Sequence, residues 1–567
     1  MRRLKQIGRL IRFSALLACS SMFASPPADA NNVTDKSDQF LVTKYHAAIR
    51  PAFTNVIIRT KGVLTGNQER QLQALGGHIY SRLPLIHAAV VRIPTAHLKA
   101  LADKPFITHL SEDVVTKKHD EFTSYSTGAG VAFQQYGLTG NGITVAVLDT
   151  GITQHPDLNT VAGNSRILAN VSFVPNDPNP QDACGHGTHV AGIIAGDGSA
   201  SSGSNCYRTF YGMARSVNLV NVRVLDSNGQ GTVSTVINGI QWCIQNQALY
   251  NIRVINLSLG HPVGESYTDD PLCQAVEQAW QAGIVVVCAA GNSGRLNTTQ
   301  TAGLDNEGWG TAYNTINVPG NDPFVITVGA TKNGYGTHAY DRIASYSSRG
   351  PTAMDFVLKP DIVAPGNRII SLRSIGSTLD ILYGSTDMVP LAYYMNGASS
   401  TDTSQYFRLS GTSMATPVVS GAAALLLEAD PTLTPDTIKA RLMITADKWR
   451  LSGGLYDPCT FGAGYLNIPA ALGCTVIANQ PAISPVLVSD GGQGVFINQI
   501  IWGNQIIWGT NINDLSAIWG SQVIQGQNVI WNANVSWGVS GTQIIWGNNG
   551  TVGATDSLDM TSIYGED

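Results

Sequence analysis

Five short, near-continuous apolar runs constrain the fold of this chain more than any other feature. They read "GITVAVLD" (142–149), "VNLVNVRVLD" (217–226), "IRVINLSLG" (252–260), "GIVVVCAAGN" (283–292) and "FVITVGAT" (324–331). A strand that does not alternate apolar with polar residues is buried on both faces, as in a parallel sheet covered by helices. Between the runs lie "TVSTVINGIQWCIQNQ" (232–247) and "PLCQAVEQAWQAG" (271–283), whose apolar residues recur at helical spacing. The expected fold is α/β, a doubly wound, mostly parallel sheet whose right-handed crossovers place helices on both sides. Two later segments, "PVVSGAAALLLEAD" (417–430) and "TPDTIKARLMITAD" (434–447), read as helices, the first apolar enough to be central.

In an open parallel sheet, ligands bind beyond the carboxyl ends of the strands. Asp149, Ser258 and Asn292 stand at those ends. Asp149 also has a bland reading as a helix cap or turn former, and Asn292 as a turn residue. Ser413, in "LSGTSMATPVVSG", opens the central helix. There it is either a simple N-cap or a nucleophile beside free N–H groups and a positive dipole end. The stretch "CGHGTHVAG" (184–192) sets His186 and His189 three residues apart, with no Glu beside His186 to complete a zinc motif. A serine hydroxyl needs a base within reach, and that base needs a carboxylate to fix its tautomer. Spacing alone leaves the pair open as a metal site, a general base or packing; a base at His186 would find its partners in Asp149 and Ser413 and leave His189 as a buried, hydrogen-bonded support.

In this order, "AVLDTGI", "GHGTHVAG", "SLG", "AAGNSG" and "GTSMATP" resemble the subtilisin-like serine proteases, as do "SSRGP" and "KPDIVAPG". The resemblance covers residues 120 to 472. It implies Asp149 as the orienting carboxylate, His186 as general base and then acid, and Ser413 as nucleophile. It implies Asn292 and the Ser413 N–H as oxyanion donors. An extended protein or peptide substrate would pair with the backbone of Ser258, Leu259 and Gly260 and with that of residues 289–291, by β-augmentation. The chemistry requires no cofactor. A structural calcium is expected at Asp157 in "HPDL", although the loop "GDGSASSGSNCYRTFYG" (196–212) departs from the family's calcium loop.

The flanks divide further. Residues 1–30, basic and then apolar with small residues at the end, read as a secretory signal peptide, with lipid anchoring through Cys19 as the alternative. Residues 31–120 show β-α-β-β-α-β order, a ferredoxin-like α+β unit resembling the family's inhibitory propeptide and cut off near "TKKHDEF". Residues 121–474 form the catalytic domain. Residues 475–567 contain no Lys or Arg, and "IIWG" repeats make them a β-rich Trp-Gly tail, either packed on the protease, binding a cell surface or glycan, or shed. Export permits disulfides, expected as Cys184–Cys206, Cys459–Cys474 and Cys243–Cys273, with Cys288 free. The net charge of −5 argues against nucleic acid as a partner, and no segment after the leader reads as a transmembrane span. A non-catalytic adhesion protein on the same scaffold would have no need for Asp149, His186, Asn292 and Ser413 together.

Overall fold

The computed structural model describes most of residues 52–489, except 85–86, 113–121, 297–309, 333–340, 398–402 and 449–456, with isolated residues before 52 and short strands after 494. The leader with Cys19 and most of the tail lie outside the described residues. The chain divides into two compact units, Met1–Lys117 and Lys118–Asp567.

In the first unit, β1 (Phe53–Thr60), β2 (His78–Leu83), β3 (Ala88–Pro94) and β4 (Ile107–Glu112) form an antiparallel sheet ordered β2-β3-β1-β4. Helices α1 (Gly66–Ala74) and α2 (Leu98–Ala102) connect them. Thr65 and Gln68 close a capping box at the start of α1, satisfying two end N–H groups reciprocally. Leu72, Leu98 and Leu101 pack with Val56, Ile58 and Val91 into a separate apolar core.

The second unit is built on β5 (Thr144–Asp149), β6 (Ile167–Ser172), β7 (Asn218–Arg223), β8 (Ile252–Leu257), β9 (Val285–Ala289) and β10 (Ile326–Lys332). The sheet order is β11-β10-β9-β8-β5-β7-β6, with β11 (Arg342–Ile343) antiparallel at the edge and β12 (Ile362–Pro365) added in parallel to β10. The five apolar runs are β5, β7, β8, β9 and β10, and β5 and β9 are buried at every residue. One face carries α4 (Val233–Gln245) and α5 (Pro271–Gln281); α3 (His186–Ala195) and α7 (Thr412–Ala429) pack together on the other. Among the described residues only α7 is long and apolar enough to cross a membrane, and 89% of it is buried in this core. An antiparallel pair, β13 (Ile369–Leu372) and β14 (Tyr406–Leu409), brackets a helix the sequence did not signal, α6 (Thr378–Asp387).

Residues 476–487, assigned to the tail by composition, run as a strap along α8 (Pro435–Ile444) and the 356–361 segment. Arg441 Nε donates to Val476 O (2.9 Å), Ala482 N to Asp436 Oδ1 (2.7 Å) and Leu487 N to Phe356 O (2.9 Å). The Ser484 hydroxyl donates to Asp361, a fully buried carboxylate that also faces Lys359 Nζ at 2.7 Å and Lys439 Nζ at 3.6 Å. Beyond it, Leu487–Ser489 pairs with Val495–Ile497, Ile501–Trp502 with Gln505–Ile506, and Asn528–Ile530 with Ser536–Gly538. All seven described cysteines are free thiols, so the expected disulfide pairings are not formed; Cys273 directs its Sγ to Asn321 Oδ1 (3.3 Å) instead.

Candidate active site

The strand order turns back at β5: β7 lies on one side of it and β8 on the other. Asp149 ends β5, and Ser258 and Asn292 follow β8 and β9, so all three reach the edge where such sheets bind ligands. His186 is the first residue of α3. Its Nδ1 lies 2.8 Å from Asp149 Oδ1, an oxygen that also accepts the Thr150 N–H at 2.7 Å. The approach of α3 to β5 requires the glycine between the histidine and the helix body. A Cβ at Gly187 would stand 2.2 Å from Gly151 O and 3.2 Å from Asp149 Oδ1.

A buried carboxylate that the motif reading did not single out secures this turn. Asp182 Oδ1 accepts from Gly185 N (2.7 Å), Cys184 N (3.2 Å) and Thr150 Oγ1 (2.7 Å), and its Oδ2 accepts from Thr188 N (2.8 Å). Its signal was an Asp four residues ahead of a helix that begins with glycines and a histidine and has no polar cap. Burial acts to lower the pKa of His186, but the charge and hydrogen bond of Asp149, with the charge of Asp182, outweigh it and raise the value above that of an ordinary histidine. His189, one turn on, is completely buried with Nε2 near Ile369 O (3.0 Å) and Phe407 O (3.2 Å). Burial, then the neighbouring His186, holds its pKa down at about 3, so it stays neutral and supports the fold.

Ser413 is the second residue of α7. Pro417 lies inside this helix and has no N–H to offer the Ser413 carbonyl four residues back. The Ser258 hydroxyl takes that place, donating to Ser413 O at 2.8 Å, while Ser413 Oγ donates to Ser258 O at 3.1 Å. Asn256 Nδ2 donates to Ser258 Oγ (3.0 Å), and Ser420 Oγ donates to Asn256 Oδ1 (2.8 Å). Ser258 is therefore fully buried and faces α7, while Leu259 and Gly260 line the cleft. Asn292 Oδ1 accepts from Thr412 N (2.9 Å) and Thr412 Oγ1 (3.0 Å), which fixes Nδ2 as the donor end of that amide. His186, Asn292 and Ser413 share one cleft with Leu259, Gly260 and Leu379.

Asp157 lies apart from the cleft and does not fit the calcium role. Its buried Oδ1 accepts from Ala200 N (2.7 Å) and Ser199 Oγ (3.2 Å), and its Oδ2 from Tyr406 Oη (2.6 Å). Protons occupy the positions where a cation would need about six or more oxygens. Among the described residues no three His, Cys, Asp or Glu side chains gather as a metal site.

Residues 140–464 match the subtilase family. The serine protease AprX of Bacillus subtilis is 43% identical over 340 residues, which are 58% of this chain and 66% of that protein. Subtilisin E of the same species is 34% identical over 400 residues, covering 70% of this chain and 83% of its own length. The crystal structure of a cold-adapted subtilisin-like serine proteinase is 31% identical, covers 58% of this chain and 88% of its own, and superposes with a TM-score of 0.39. The chain belongs to the subtilase family, the subtilisin-like serine proteases.

Proposed function

We propose that this chain is a secreted serine endopeptidase that cleaves peptide bonds through an acyl-enzyme and is made as a self-processed zymogen. Asp149 holds the imidazole of His186 by Nδ1 and stabilises its charged form. His186 takes the proton of Ser413 as that oxygen attacks the scissile carbonyl, then gives it to the leaving amine. The single hydroxyl proton now points at Ser258 O, so attack begins when it is re-aimed at His186. Negative charge developing on the carbonyl oxygen meets Asn292 Nδ2 and the Ser413 N–H at the positive end of α7. A water molecule, deprotonated by His186, then releases the acyl group. The carrying observation is the buried 2.8 Å pair of His186 and Asp149, whose imidazole opens on the same cleft as Ser413 and Asn292.

The substrate is an extended protein or peptide segment laid along the Leu259–Gly260 backbone. Residues 31 to about 120 act as the enzyme's own propeptide. Supporting this, the two compact units divide at Lys117, inside the expected cleavage stretch "TKKHDEF". The leader sends the chain across the membrane, with Cys19 acylation as the alternative fate, and the Trp-rich tail serves surface or glycan binding or is shed.

The purified protein should hydrolyse casein, lose that activity to a serine-directed inhibitor, and lose it again in Ser413→Ala. Ser413→Ala should also retain its N-terminal unit. Hydrolysis that resists the inhibitor but is abolished by a chelator would overturn the reaction. A normal mature N-terminus in protease-free Ser413→Ala would overturn self-processing.

A further inference from the structure

Among the described residues, the excursion between β13 and β14 contributes one side chain to the cleft, Leu379, which is 2% exposed. Beside it three large apolar side chains face water: Ile375 at 53%, Ile381 at 76% and Leu382 at 60% exposure. Leu382 stands three residues after Leu379 on α6, so the two share a face and form a stripe from the cleft wall to the surface. Folding leaves this cost in place, and an exposed apolar cluster continuous with a binding cleft marks a contact surface.

The cluster is held rigidly. Ser377 caps α6, Arg373 Nε pairs with Asp380 Oδ1 at 2.6 Å, and Gly376 N donates to Asp380 Oδ2 at 2.8 Å. The helix is anchored to the turn that carries His186. Thr378 N and Leu379 N donate to Ala183 O and Cys184 O, both at 2.9 Å, and Ser374 Oγ donates to Asp182 O, also at 2.9 Å. Gly185, at φ +104°, passes so close that a Cβ there would lie 2.5 Å from Ser377 Oγ.

Chemistry identifies the side of the cleft. The general acid must meet the leaving nitrogen, so the chain beyond the scissile bond departs on the imidazole side of Ser413. Helix α6 is fastened to the residues immediately before His186, so it borders the imidazole that meets the leaving nitrogen. The Arg373–Asp380 pair neutralises the carboxylate next to Ile381, and Asp387, the other acid of α6, is buried, so the surface favours apolar rather than charged partners.

We infer that Leu379, Leu382, Ile381 and Ile375 form an apolar subsite for substrate residues C-terminal to the scissile bond. The inference rests on the serine endopeptidase reading and adds a preference to it. Its occupant is the leaving segment of a protein substrate, which gives the enzyme a selectivity that short substrates do not reveal.

The test uses the mature enzyme and quenched peptides identical up to the scissile bond, carrying Leu or Phe, or else Ser or Asp, at the three positions after it. Rates are referred to a peptide p-nitroanilide, which has no residues beyond the bond. Wild type should favour the apolar series by about tenfold in kcat/KM. Ile381→Ser with Leu382→Ser should erase that ratio, and Ile381→Lys should turn it toward the Asp peptides. That reversal is a gain that loosened folding would not produce. A wild type indifferent to these positions, or an apolar preference surviving both variants, overturns the subsite. Failure to cleave the p-nitroanilide at all overturns the endopeptidase reading, and the subsite with it.

Discussion

Replacing Ser258 with alanine tests how the start of α7 is held. The hydroxyl donates to the Ser413 carbonyl, which Pro417 leaves without a helical partner, and accepts from Asn256 Nδ2. Its loss orphans one buried acceptor and one buried donor, at about 1–3 kcal/mol each, and relaxation should bring the total to about 2–4 kcal/mol. Pro417→Ala returns an N–H to the helix where the Ser413 carbonyl can use it. In that background Ser258→Ala should orphan only the Asn256 donor, so the two substitutions should couple by about 1 kcal/mol or more. Urea unfolding would measure all four combinations in the Ser413→Ala background, where autolysis is absent and the backbone carbonyl is retained. Equal cost of Ser258→Ala with and without Pro417, or a cost below about 0.5 kcal/mol, would refute the argument that Ser258 replaces a missing helical donor.

Two further predictions concern charge. His186 must be neutral to accept a proton, and its pKa is raised, so kcat/KM should fall on the acid side at a pH above the ordinary histidine value. Asp182→Asn removes one of the negative charges responsible, so a pH–rate profile should show that limb moving to lower pH; an unmoved or rising limb would contradict it. Asp361→Asn should destabilise the domain by about 3–5 kcal/mol by leaving Lys359 and Lys439 buried without a carboxylate. Burial alone would raise the Asp361 pKa, but the two lysines and the Ser484 hydroxyl lower it overall. A depressed folded-state value means the stabilisation is present above the unfolded carboxylate pKa and lost as pH falls through the folded one. Acid titration of unfolding should therefore show a smaller loss in the Asn variant below about pH 4.

The apolar runs announced the sheet because burial on both faces leaves little room for polar residues, and that is why Asp149 and Asn292 stood out at the strand ends. Other parts were hidden for identifiable reasons. Ser258 was expected to offer its backbone to the substrate; that its hydroxyl also serves α7 depends on Pro417, more than 150 residues away, and becomes visible only when the two elements meet. The signal existed in principle, since a proline four residues after Ser413 predicts an orphaned carbonyl. Helix α6 escaped because its apolar residues do not all face inward: Leu379 is buried while Ile381 and Leu382 are exposed. Asp157 was expected to bind calcium from its motif alone, but the hydroxyl that occupies its second oxygen comes from Tyr406, at a distance no local pattern encodes. Composition placed the tail boundary at 475, because the strap is held by backbone groups and one serine rather than by distinctive residues.

That strap limits how the chain can be trimmed at its C-terminus. A cut after Leu487 keeps the Leu487 N–H on Phe356 O and the Ser484 hydroxyl on Asp361. A cut inside 476–486 removes some of these contacts and opens the floor beneath β10, where Lys439 donates to Ser484 and to the carbonyls of residues 323–325. Any enzyme that releases the tail, including this one acting on itself, therefore meets a folded barrier on the N-terminal side of its target, and the smallest durable product ends no earlier than about residue 487.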